Sequence, residues 1–354
     1  MHPDSVASDP TAPEDSDYAS SFAGCDYLAL ARHPRLLDAA TAAVARHALT
    51  SSASRTTTGD TRVHQSLDRR LAAWTGHEAG LVVPDGLIAN IVACQTALAL
   101  GIRRARLAPG SHRSLEIAIR ASGLTPIERG SPPIESDEPV LFLTDAVFTS
   151  TGAIADVPAL LASLPTPGSV LLLDDCHGFP VLGDGRGTRA EFAITDPRVW
   201  TTTSLAKGIG AGGGAFLASK DAIDRAWTHA DAFVCTTPPS PALAGAALAS
   251  LDLIQNEPDR ITHLQALCAD LAERLAGLGL GDHEPRTPVF AIGLDEHSID
   301  PFRHAASAHA VRVPVMSYPG GPAPRYARIS LNASHTRADL DRLCAALEEW
   351  LDAR

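Results

Sequence analysis

The chain has 354 residues, of which 45% are hydrophobic and 20% charged, and its formal net charge is −12. That acidic balance argues against a nucleic-acid binder, which needs a concentrated basic face to meet phosphates, and no apolar run approaches the ~20 residues of a membrane-spanning helix. Met1 to Ser20 is acidic and polar, unlike a signal peptide, so the expected location is the cytoplasm.

The length suits one large and one smaller domain. Residues 1–20, with Ser5, Asp9, Pro10, Pro13, Glu14 and Asp15, are too polar to bury a face and are expected to be disordered. Residues 21–45 are assigned to a segment that packs with the smaller domain, and 46–240 to the large one. From Gly80 onward short apolar runs alternate with helical patterns. Strands are expected at 81–83, 105–107, 140–143 and 170–173, with helices at 88–100, 114–121 and 157–164 between them. Nearly continuous apolar strands alternating with helices define an α/β fold whose parallel sheet is covered on both faces. Sites in such sheets gather at the carboxyl ends of the strands.

A glycine-rich strand is expected at 212–218. Past Pro238 and Pro241 the pattern changes, and 241–354 reads as the smaller α/β domain. It opens with long helices at 242–254 and 261–278, followed by a small sheet from 288–291, 311–315 and 327–331. The last helix begins at Thr336, with Asp339 at the capping-box spacing, and buries Leu340, Leu343, Leu347 and Leu351. Six cysteines, at 25, 94, 176, 235, 268 and 344, show neither C-x-x-C spacing nor clustering with histidines, so disulfide and metal readings lose support.

The chemistry concentrates at strand ends. Leu171-Leu172-Leu173 delivers Asp174 to a carboxyl end, with His177 three residues on, and Lys207 follows the β-rich run Val199-Trp200-Thr201-Thr202-Thr203. A partly desolvated lysine there loses its charge more readily and can hold the aldehyde of pyridoxal 5′-phosphate as a Schiff base. An Asp commonly partners the pyridine nitrogen of that cofactor, and His177 is placed to bond its phenolic oxygen. Ser204 offers a hydroxyl to the phosphate. The run Pro84-Asp85-Gly86-Leu87 enters a helix whose first N–H groups suit a phosphate, and His112 follows the next strand, where it could stack on a flat ring.

Taken in order, these stretches resemble the α-oxoamine synthase branch of fold-type-I pyridoxal-phosphate enzymes. The resemblance runs from Cys25-Asp26-Tyr27-Leu28-Ala29-Leu30 to the last helix, through Val63-His64-Gln65-Ser66-Leu67, 86–90, Ser111-His112, Val147-Phe148-Thr149, 174–187, 204–208 and 327–331. It implies a mostly parallel seven-stranded sheet with a smaller carboxyl-terminal domain, and a homodimer with shared active sites. It further implies that Lys207 carries the cofactor and shuttles the α-proton, with Asp174, His177 and His112 around the ring. Gly86, Leu87, Ser204 and a second subunit's Thr237 would hold the phosphate. Arg328, Thr149 and Cys25 would meet the amino-acid carboxylate, for which a guanidinium fork is suited.

The implied reaction condenses an amino acid with an acyl thioester of coenzyme A or a carrier protein, with decarboxylation to an α-amino ketone. The alternative is another reaction at the α-carbon of a small amino acid, by a decarboxylase, racemase, aldolase or aminotransferase. The chain departs from the family pattern around the substrate: Cys25 stands for an asparagine, Ala29 for a glycine and Asp145 for a glutamate. The segment 317–322 is expected at the mouth of the site near Arg328.

Overall fold

The computed structural model describes residues 18–128, 138–318 and 320–353. Residues 1–17, within the segment expected to be disordered, and Pro319 of the segment at the mouth lie outside the described residues.

Strand residues in the large sheet alternate between two cores, as the period of two in a strand requires. Leu81, Val83, Phe216 and Ala218 join the core built on helix Gly86–Ala99. Their neighbours Val82, Ala215 and Leu217 join the opposite core with Leu67 and Leu71. Burial on both faces explains why the strands read as unbroken apolar runs, and Val170–Asp174 is buried at every position.

The sheet has seven strands in the order Ala79–Val83, Gly214–Ala218, Val199–Ser204, Val170–Asp174, Val140–Asp145, Arg104–Leu107, Thr125–Pro126. Only Gly214–Ala218 runs antiparallel to its neighbours. Glycine is required where that strand begins, because a Cβ on Gly214 would lie 2.3 Å from the Asp85 carbonyl oxygen. The parallel strands therefore all end on one edge, and residues 83–86, 145, 174 and 204 share it.

Beyond the long helices Pro241–Asn256 and Asp259–Gly277, a three-stranded antiparallel sheet has the order Val315–Met316, Arg325–Ser330, Val289–Leu294. The expected single strand at 311–315 is instead two. Val311–Arg312 pairs in parallel with Ser20–Ser21, and only Val315–Met316 joins the three-stranded sheet. Pro314 lies between them, where it has no N–H to give a ladder and its carbonyl accepts from Arg328 N–H at 2.9 Å. Regular pairing thus starts at Ser20. The last helix, Arg337–Asp352, has both halves of the capping box between Thr336 and Asp339.

One buried cation ties the segment before helix Arg62–Thr75 to the large sheet. The Arg55 side chain is 1% exposed, bonds Asp60 at 2.8 Å and Asp68 at 2.5 Å, and donates to the Val82 carbonyl at 3.2 Å. Its guanidinium carbon lies 5.2 Å from the Trp227 ring centroid. Removing one partner from a buried pair strands the other charge. Arg55→Ala is expected to lower unfolding free energy by ~3–5 kcal/mol in urea titrations, and a loss below ~1 kcal/mol would contradict this role.

Candidate active site

At the carboxyl edge of the sheet two connected chambers open. The first, about 290 Å³, is lined by Gly86, Leu87, His112, Asp145, Asp174 and Ser204. The second, about 260 Å³, is lined by Cys25, Thr149, Met316, Tyr318, Tyr326 and Arg328, and both reach His112, His177 and Lys207. Of the residues singled out in the sequence, only Thr237 lines neither chamber in this subunit; it is exposed.

Asp174 ends its strand 6% exposed. One carboxylate oxygen accepts from Asn90 Nδ2 at 2.8 Å and the other from Cys176 N–H at 3.2 Å, both neutral donors. Thr202 on the adjacent strand donates to Asn90 Oδ1 at 2.5 Å and so fixes which way the amide points. His177 Nε2 stands 2.8 Å from Lys207 Nζ, and His177 Nδ1 stands 2.5 Å from the Tyr27 hydroxyl. Burial, followed by the Lys207 and Arg328 charges, holds His177 well below the usual imidazole range, so the ring is neutral. Tyr27 is fully buried, and burial raises its phenol well above the usual range.

Tyr27 owes its position to a local turn. Both Asp26 carboxylate oxygens accept backbone N–H groups at 3.0 Å, from Leu30 and Ala31. Ala29 within that turn has φ 53, the left-handed region that costs a Cβ-bearing residue ~1–2 kcal/mol. This accounts for the glycine that the resembled family carries there.

Helix Gly86–Ala99 starts under the floor of the first chamber. Asp85 caps it through Ile88 N–H at 2.9 Å, which leaves the Gly86 and Leu87 amides without a helical partner. A Cβ on Gly86 would come within 3.2 Å of the Ser204 Cβ and 3.5 Å of the Cys176 sulfur, so the bare backbone keeps this cradle open. Free amides at a helix start, beside the Ser204 hydroxyl, are a phosphate's donor set.

His112 is neutral for the same reason of burial. Its Nδ1 accepts from Ser114 N–H at 3.1 Å, and its ring stacks on Tyr318 with centroids 5.1 Å apart and planes 12° apart. Its other face is left for a flat ligand. His112 N–H donates to both Asp145 oxygens, at 3.0 and 3.1 Å. The Asp145 carboxyl is pushed up to about 7 by burial first and by the Asp174 carboxylate second.

In the second chamber the Arg328 guanidinium is gripped from three sides. Nε donates to the Thr149 carbonyl at 2.9 Å, Nη1 to Ser330 Oγ at 2.8 Å and Nη2 to Cys25 Sγ at 3.8 Å. Thr149 thus acts on Arg328 through its carbonyl. Arg328 is 7% exposed and retains further N–H groups on both terminal nitrogens for an anion.

Three contributors were not singled out from sequence. Asn90 lies one helical turn from Gly86, and a buried amide on an apolar helix signals a polar partner. Tyr27 sits inside an apolar run and reads as core. Tyr318 reaches His112 only through the fold.

A cradle for phosphate, a carboxylate with neutral donors, and a lysine amine facing a neutral histidine fit pyridoxal 5′-phosphate, which defines a fold-type-I enzyme of that cofactor. Comparisons with known proteins agree. Residues 21–347 match the profile of aminotransferase class I and II. The 8-amino-7-oxononanoate synthase of Chromohalobacter salexigens is 34% identical over 342 residues, 92% of this chain and 88% of that protein. That of Halorhodospira halophila is 33% identical over 352 residues, 94% and 86%. Among solved structures, a serine palmitoyltransferase from S. paucimobilis superposes with TM-score 0.84 at 17% identity, covering 94% of this chain and 87% of the other. An 8-amino-7-oxononanoate synthase from Francisella tularensis superposes with TM-score 0.80 at 21% identity, covering 94% and 97%. The chain belongs to the class I and II aminotransferase family, in its α-oxoamine synthase branch. Its cofactor is pyridoxal 5′-phosphate.

The raised Asp145 carboxyl predicts a pH dependence of cofactor-free stability. The folded protein keeps this proton to about pH 7, whereas an unfolded carboxyl releases it near pH 4, so the folded state binds more protons across that window. Stability therefore falls as pH rises from about 4 to about 7. Urea titrations of Asp145→Asn are expected to fall less steeply than wild type, by up to ~1.4 kcal/mol per pH unit; an unchanged slope would contradict the assignment.

Proposed function

We propose that this chain condenses an amino acid with an acyl thioester, releasing carbon dioxide and a free thiol and yielding an α-amino ketone. The observation that carries this reading is the common wall of the two chambers, where Lys207 and His177 face both the cofactor cradle and the Arg328 guanidinium. Relatives named 8-amino-7-oxononanoate synthase, at 33–34% identity over most of the chain, support it.

When bound, pyridoxal 5′-phosphate supplies an aldehyde for amines and a ring that accepts the electron pair left when a bond at the amino acid's α-carbon breaks. In this reading Lys207 would hold the cofactor's aldehyde, and its Nζ, when free, would take the α-proton. His177, neutral and 2.8 Å from that amine, would donate to the ring's oxygen. Asp174 would keep the ring nitrogen protonated by opposite charge. The amides of Gly86 and Leu87 and the Ser204 hydroxyl would hold the phosphate, with Thr237 contributed by a second copy of the chain. Arg328 would bind the substrate carboxylate, positioned by Thr149 and Cys25, while His112 would cover the cofactor ring with the face it turns away from Tyr318.

We assign residues 46–240 to the cofactor-binding domain, and 21–45 with 241–354 to the smaller one that carries Arg328. No helix among the described residues is long and apolar enough to cross a membrane, and a cytoplasmic homodimer is part of this proposal.

The test is a panel of amino acids incubated with and without acyl thioesters, following thiol release and carbon dioxide together. Coupled release of both with one amino acid is the expected result. Amino-acid turnover without thiol release would replace the proposal with another reaction at the α-carbon. Arg328→Lys is expected to raise the amino-acid KM at least ~10-fold, since a point charge loses the paired contacts of a guanidinium.

A further inference from the structure

Two strands and two helices converge on one buried amide. Asn90, on helix Gly86–Ala99, is 1% exposed and lines neither chamber, yet each of its polar atoms is taken. Nδ2 donates to the Asp174 carboxylate at 2.8 Å and to Ser114 Oγ at 3.2 Å, and Oδ1 accepts from the Thr202 hydroxyl at 2.5 Å. A carboxylate only accepts, so the amide turns its NH2 end towards Asp174. Thr202 is fully buried and pairs in register with Asp174 on the adjacent strand, which holds the oxygen end in place.

The second N–H leads to His112. Ser114, in the first turn of helix Arg113–Ser122, lines the first chamber, and its Oγ lies 2.8 Å from His112 Nδ1. Nδ1 also accepts the Ser114 backbone N–H at 3.1 Å, and a backbone N–H can only donate, so Nδ1 is the bare ring nitrogen. The Ser114 oxygen therefore accepts from Asn90 and gives its own hydrogen to Nδ1. Both donors of Asn90 thus end on residues in the wall of the first chamber.

We infer that Asn90 is a positioning residue for the cofactor site, holding the Asp174 carboxylate and, through Ser114, the His112 imidazole in one hydrogen-bonded frame. The same amide plane directs both groups, so they keep a fixed relation to each other. A buried asparagine that only satisfied its own polar atoms would bear on stability alone; one that aims Asp174 also bears on the charge of the cofactor ring. The inference rests on the roles proposed for Asp174 and His112.

The experiment titrates with pH the visible absorbance of protein loaded with pyridoxal 5′-phosphate, whose midpoint reports the proton on the nitrogen joining Lys207 to the cofactor. A positive charge on the ring makes that proton easier to lose. Asn90→Ala loosens the Asp174 carboxylate and its hold on the ring proton, and is expected to raise the midpoint by at least ~0.5 pH unit. Asp85, Asp145, Cys176, His177 and Arg328, which line the chambers with Lys207, stay in place in this variant. Thr202→Val removes the hydroxyl that orients the amide and is expected to move the midpoint the same way, so the test survives an Asn90→Ala protein that fails to fold. Ser114→Ala breaks only the arm to His112. It is expected to change the circular dichroism of the cofactor band, with the midpoint within ~0.2 pH unit of wild type; unchanged circular dichroism would overturn that arm. Asp174→Asn is the reference. A midpoint unmoved there would overturn the role proposed for Asp174, whereas one that moves in Asp174→Asn but in neither Asn90→Ala nor Thr202→Val would overturn the frame alone.

Discussion

Asp174 is the constraint on which the rest of the site depends. It places a carboxylate at a buried strand end, and its protein donors, the Asn90 amide and the Cys176 N–H, are both neutral. A protonated pyridine ring facing that carboxylate, as proposed above, would add the opposite charge that these neutral donors do not supply. The same requirement fixes the geometry around it. Asn90 is held by Thr202 from the next strand and lies four residues into the helix that starts at Gly86. One helical turn, a rise of ~6 Å, therefore separates Asn90, the donor to Asp174, from the helix start at Gly86.

The second dependence runs through Arg328, which strand Arg325–Ser330 of the three-stranded sheet presents to the second chamber. Its Nε is anchored on the Thr149 carbonyl, its Nη1 on Ser330, and Cys25 lies against Nη2. Residues as far apart in sequence as Cys25, Thr149 and Ser330 thus meet at one guanidinium. A thiol where the family carries an asparagine gives that cation a weaker neighbour, so in the proposed carboxylate role more of the recognition would fall on the fork itself. Tyr318 closes the arrangement from the side by stacking on His112.

The parts of the fold legible in the sequence were those set by local pattern. Unbroken apolar strands announced a sheet buried on both faces, and Thr336 with Asp339 announced the last helix. Asp174, Ser204 and the Gly86 turn were legible because strand ends and helix starts have chemical signatures of their own. What escaped depended on contacts distant in sequence. The pairing of Val311–Arg312 with Ser20–Ser21 joins residues almost the whole chain apart, and no periodicity marks it. Tyr27 and His177 are 150 positions apart, and a tyrosine inside an apolar run looks like packing until its hydroxyl is seen to point at an imidazole. Asp145 was noticed only as a departure from a family pattern; its two bonds from the His112 N–H belong to the folded chain.

The central claim is that Lys207 is the amine that holds the cofactor. The chain contains two lysines, and the other, Lys220, is exposed and paired with Asp224 on the surface. Borohydride reduction of protein loaded with pyridoxal 5′-phosphate, followed by peptide mass mapping, discriminates between them with a built-in control. The account predicts one phosphopyridoxyl group per chain, on the peptide containing Lys207, with Lys220 unmodified. Label confined to Lys220, or cofactor bound with neither lysine labelled, would contradict it.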